Sequence, residues 1–169
     1  MNLIKKITTL AALLPLVGAC SVIDLDEISM MEVQNWEFAQ NLHQEYVALA
    51  REEAAEEDWD AATYFGNKAV AAADAANEGA TIPDPQAIAE LDLPNYSVGE
   101  LASARTFLMM ALEDGRRTKP QHAARAQAMF DCWMHEQEED VHPDDIAKCR
   151  EGFDAAYKEL SMMMPMAEP

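Results

Sequence analysis

The chain predicts an all-α fold of about five helices packed as antiparallel hairpins, the last hairpin cross-linked by a disulfide. Three observations carry this. Ala, Glu, Met and Leu dominate the sequence and β-branched runs are missing. Apolar residues recur at spacings of three and four, most clearly at Ile146, Cys149, Phe153, Ala156 and Leu160. Cys132 and Cys149 lie equally far from the turn at 140–143.

The first element is a leader. Residues 1–19 contain Lys5 and Lys6, then the apolar stretch Ile7–Leu16, then the small residues Gly18 and Ala19, with no acid. This has the three parts of a secretory signal peptide and is too short to span a bilayer. Leu16-Val17-Gly18-Ala19-Cys20 resembles a bacterial lipobox. The resemblance implies that Cys20 is acylated and becomes the first residue of the mature chain; the plain alternative is an ordinary signal peptide with a chance cysteine. Two or more acyl chains are needed for stable anchoring. Ser21, rather than Asp, follows the cysteine, which in such lipoproteins implies an outer-membrane, periplasm-facing location.

From Cys20 to Pro169 there are 150 residues, one ordinary domain. Removing Lys5 and Lys6 leaves 10 bases against 31 acids, a net charge of −21. That charge repels phosphate backbones, and no basic stripe offsets it, so nucleic acid is excluded as a partner. Residues 20–30 are expected to be a lipid-proximal tether, and 31–160 a helical domain. A first helix is expected over about 31–56, with Ala39, Leu42, Tyr46, Leu49 and Ala50 on one face, and a second over 59–77. This pair has some tetratricopeptide character. Gly66 and Glu53 depart from that pattern and no copy follows 34 residues later, which favours an ordinary helix hairpin.

The stretch 79–94 breaks the pattern with Pro83, Pro85 and Pro94, leaving room for one helical turn within "PQAIAEL". Ser97-Val98-Gly99-Glu100 reads as a capping box opening a third helix, which Gly115 is expected to close. Pro120 starts a fourth helix that ends near Asp140. Pro143-Asp144-Asp145 opens a fifth, with acids at the positive end of its dipole. Residues 161–169 form a Met-rich tail.

Three cysteines in an exported chain leave one over. If Cys20 carries lipid, Cys132 and Cys149 remain as a pair, and an oxidising periplasm favours their disulfide. Each lies roughly 10–12 Å up its helix from the turn, level with the other. Cys149 faces inward, whereas Cys132 sits at the edge of the Met129–Trp133 face. A redox switch or metal pair is the alternative, but the surrounding "HEQEEDVHPDD" is acidic rather than electropositive.

The segment "GRRTKPQHAARAQAMFDCWMHEQEEDVHPDDIAKCREGF", residues 115–153, resembles the helical N-terminal region of certain OmpA-family, peptidoglycan-associated bacterial lipoproteins. Arg117-Thr118-Lys119, Phe130-Asp131-Cys132-Trp133, Asp144-Asp145-Ile146 and Cys149-Arg150 carry the resemblance. Such proteins continue into an OmpA-like domain that grips peptidoglycan. The sequence to residue 169 has none of that domain's residues, so direct cell-wall binding is not carried over.

The sequence contains no nucleophile elbow, P-loop, zincin helix or dinucleotide fingerprint. The expectation is therefore a non-enzymatic protein without a cofactor, attached to the membrane through Cys20 and acting on envelope proteins. Trp36, Trp59 and Trp133 are candidates for core or contact surface. The second expectation is a periplasmic copper or zinc binder. Its ligands would come from His135 and His142 beside the hairpin turn, and from Met162, Met163, Met164 and Met166 in the tail. For these histidines the plain alternative is a solvated helix end, and for the methionines a disordered tail of helix-forming residues.

Overall fold

A computed structural model describes residues 23–34 and 36–162. It is helical: α1 (Leu25–Ser29), α2 (Glu37–Ala55), α3 (Trp59–Glu78), α4 (Asn95–Thr118), α5 (Pro120–Glu139) and α6 (Pro143–Ser161), with a 3₁₀ turn at Ile88–Glu90. There is no strand among the described residues. The hairpins α2–α3 and α5–α6 pack against each other through α2 and α5, and α4 lies on α5.

Helix α5 is the centre of the fold. It contacts α2, α4 and α6, and 13 of its 20 residues are buried. A helix covered on three sides shows no single apolar stripe, so Cys132 looked marginal in the sequence yet is 1% exposed. The cysteines are joined, with Cα atoms 5.5 Å apart, inside a cluster of Phe130, Trp133 and Phe153.

Three helix ends differ from the sequence expectation. The first long helix starts at Glu37, not at about 31. Asn77 of α3 holds the preceding segment by accepting from the Gln34 amide and donating to the Glu32 carbonyl. Those bonds replace the ones a helix would have made. Upstream, Asp24 caps α1 through the amides of Asp26 and Glu27. Ile28 is buried, and with Ile23 it occupies the space over Gly66 that a side chain there would fill. The bulk missing at Gly66 thus makes room for residues 23–28.

The capping box at Ser97 does not form. α4 begins two residues earlier, directly after the extended Pro94 (ψ 135°), and the Ser97 hydroxyl donates back to the Pro94 carbonyl. Nor does Gly115 close α4. It lies within the helix, buried, with the Leu160 side chain in the space a Cβ would need. The helix ends at Thr118 because Lys119 precedes a proline, which disfavours helical backbone; Lys119 is at φ −144°, ψ 58°. Gly79 does end its helix, at φ 68°, where the Ala80 amide closes on the Ala75 carbonyl.

Candidate functional site

The sequence-predicted site residues do not converge. Cys132 and Cys149 form a core disulfide, 1% and 3% exposed, which closes it to attack by an external thiolate. His135 stacks on Tyr64 with ring centroids 4.6 Å apart. Its side chain is 12% exposed, and burial pushes its pKa down despite nearby acids. It is therefore a packed ring rather than part of a solvated helix end. His142 is exposed at the start of α6. Among the described residues, no group of three or more His, Cys, Asp or Glu stands where it could hold a metal ion. Met162 is exposed; Cys20, the leader, Met163, Met164 and Met166 lie outside the described residues.

The strongest polar constellation was missed in the sequence. Asp131 on α5 is fully buried. Its carboxylate accepts from the Tyr46 hydroxyl of α2 at 2.5 Å, from Lys68 Nζ of α3 at 3.0 Å and from the Gln86 amide at 2.7 Å. Burial first, and the Asp131 charge second, hold the Tyr46 hydroxyl well above its ordinary pKa. Gln127, one turn earlier, donates to the Pro83 carbonyl, and Arg105 of α4 donates to the carbonyls of Pro85 and Gln86. The proline-rich segment is thus strapped by side chains from α4 and α5 in place of a backbone ladder. One signal was available. Asp131 is the single acid between Asp114 and Glu136, flanked by Phe130 and Cys132, and an acid in such company must have partners.

A second group lies where the α2–α3 turn meets the end of α5. Glu136 of α5 is 5% exposed, and Glu53 is partly buried near the end of α2. Burial, then Glu53, Glu139, Asp145 and Asp58, pushes Glu136 up to about 8. Burial, then Glu56 and Asp58, pushes Glu53 up to about 7. Lys148 of α6 pairs with neighbouring Glu52 at 3.0 Å. These carboxyls hold protons near neutral pH because ionising both would place like charges together in a poorly solvated space.

The tryptophans divide. Trp133 is core, 3% exposed, whereas Trp36 and Trp59 remain accessible. Trp36 lines a shallow groove of about 530 Å³ with Met109, Leu112 and Arg116. Tyr96, Phe107 and Met110 of α4 are each more than half exposed. The described polar clusters bind helices to one another, and the Tyr96 hydroxyl joins them by donating to Asp140 at 2.5 Å and accepting from Gln137 at 3.1 Å, while Phe107, Met110 and the open face of the Tyr96 ring are left to meet something else.

No family model matches the chain, and no curated protein or solved structure matches it.

Proposed function

We propose that the protein is a lipid-anchored component of a bacterial envelope, held at the outer membrane by acylated Cys20, whose helical domain works by contacting proteins rather than by catalysis. The observation that carries the contact role is the exposure of Tyr96, Phe107 and Met110 on α4 in a chain this acidic. The anchor rests on the residues Leu16–Cys20. Among the described residues no helix is long and apolar enough to cross a membrane. A buried disulfide suits an oxidising compartment, which supports export. The family resemblance over residues 115–153 points to the same envelope setting, and peptidoglycan binding is not part of this reading.

Mass spectrometry of the mature N-terminus tests the anchor. Diacylglycerol on Cys20 is expected, and an unmodified cysteine or a start elsewhere refutes it. A photo-crosslinking residue at position 107, in intact cells, tests the contact role. Protein adducts are expected there and not at Gln121 on the outer side of α5.

A further inference from the structure

We propose that the outer face of α4 is a self-docking surface, on which a second copy of this chain packs with its own α4 antiparallel about Ser103. This rests on the reading of the domain as a contact module and names its partner.

Tyr96, Gly99, Ser103, Phe107 and Met110 follow one another at spacings of three and four, on one side of α4. All five are exposed. Among the described residues, nothing lies within 4 Å of the place where a Cβ on Gly99 would stand. The fold itself therefore gives no reason for glycine inside this helix, where it costs about 1 kcal/mol against alanine. A close neighbour from outside supplies one. Gly99 and Phe107 are each four residues from Ser103, and Tyr96 and Met110 each seven. In an antiparallel pair centred on Ser103, the Phe107 ring of one copy stands level with the Gly99 notch of the other. Tyr96, its hydroxyl fixed by Asp140 and Gln137 and its ring exposed, stands level with Met110, a ring beside a thioether. A two-fold interface requires this self-complementarity.

Charge restricts where a second copy can sit. With a net charge of −21 once Lys5 and Lys6 have left with the leader, two copies repel over most of their surface. From Leu101 to Leu112 there is no acid at all, and the one cation, Arg105, is bonded to loop carbonyls. Glu100 at the edge is paired with Arg150. The strip is only ~20 Å long, so it buries far less than the ~800 Å² per partner of a standard interface. The dimer is accordingly weak in free solution and is favoured where an anchor raises the effective concentration.

The test is cysteine cross-linking of the full chain in its membrane, and in parallel of the purified full chain carrying Cys20→Ser. Ser103→Cys lies on the two-fold axis and meets itself. It should form an interchain disulfide about tenfold faster than Gln121→Cys, which is as exposed but lies on another helix. Adding Phe107→Asp should abolish the product. Adding Gly99→Leu should slow it about tenfold while raising Tm, because leucine favours the helix but fills the notch; a purely structural role for Gly99 does not give that pair of results. Equal rates for Ser103→Cys and Gln121→Cys overturn the proposal. If the photo-crosslinker at position 107 then yields only adducts to other proteins, the second copy is wrong and the contact module stands. If it yields none, both fall. A reductant-sensitive covalent dimer of the parent chain that disappears with Cys20→Ser reports a free Cys20 thiol and defeats the anchor, whereas weaker non-covalent association on Cys20→Ser is what loss of an anchor gives. The ratio of Ser103→Cys to Gln121→Cys rates within the Cys20→Ser background still decides the α4 surface.

Discussion

Glu136→Gln should make the protein more stable at pH 8 and leave it nearly unchanged at pH 5. Glu136 is 5% exposed, and in the fold it titrates at about 8 instead of 4.5. Between those two pH values the folded chain holds a proton that the unfolded chain has released. Stability is therefore greatest at the acid end of this window and falls as pH rises through it. The full difference is worth roughly 5 kcal/mol. Local relaxation and water reaching the ionised carboxylate reduce this, so ~2 kcal/mol is expected. Glutamine mimics the protonated carboxyl and removes the term. Glu53 titrates at about 7 beside it, raised by burial, Glu56 and Asp58. Glu136 is still protonated when Glu53 loses its proton, so Glu136→Gln should leave Glu53 near its value in the parent. His135 acts in the opposite direction. Its lowered pKa means that the folded chain binds less proton than the unfolded chain near pH 6, which lowers stability on acidification. Taking the difference between variant and parent separates the two effects. Urea unfolding followed by far-ultraviolet circular dichroism at pH 5, 6.5 and 8 gives that difference. Parallel midpoints for parent and variant across the range would refute the reasoning.

Other perturbations probe the rest of the framework. Replacing Cys132 and Cys149 together by serine opens a loop of 17 residues and should cost about 3 kcal/mol; thermal unfolding with and without reductant measures it, and only the parent should respond to reductant. Asp131→Ala strands Lys68, the Tyr46 hydroxyl and the Gln86 amide, and should cost about 3–5 kcal/mol, with Asp131→Asn milder because an acceptor remains. Chemical denaturation ranks the two, and equal losses would argue against a charge-assisted centre. Asn77→Ala removes both bonds to residues 32 and 34. It should raise hydrogen exchange at the Gln34 amide, lower global stability by only about 1–2 kcal/mol, and leave α2 protected.

The legible and illegible parts of this fold separate by the range of the interaction that fixes them. The ends of α3, α5 and α6 are set locally. Gly79 supplies a positive φ, Pro120 and Pro143 each sit in a first turn, and the pairing of Cys132 with Cys149 follows from counting outward from one turn. The start of α2 is not local, because an asparagine 43 residues away holds the non-helical segment before it. Asp131 is less local still, with partners 45, 63 and 85 residues distant. The ends of α4 were misread for a related reason. Ser97 and Gly115 are both residues that usually mark helix boundaries, yet both are buried here and answer to packing, with Leu160 beside Gly115.

The distribution of acids connects fold and surface. The chain carries 31 acids, yet Leu101–Leu112 has none and Gly115–His135 has only Asp131. The second window is explained inside the molecule, since α5 is wrapped by three helices and its one acid is bonded to three donors. Leu101, Leu108, Ala111 and Leu112 explain a third of the first window in the same way, because they are buried. Ser103, Thr106, Phe107 and Met110 are exposed, so no burial among the described residues forbids a carboxylate at those positions. Elsewhere the surface is charged to the point of self-repulsion. A face that omits acid where burial does not require it, and that places a glycine where helix propensity opposes one, has properties that a free surface does not need. A packed neighbour accounts for both, and Gly99→Leu separates the two pressures by strengthening the helix while closing the notch.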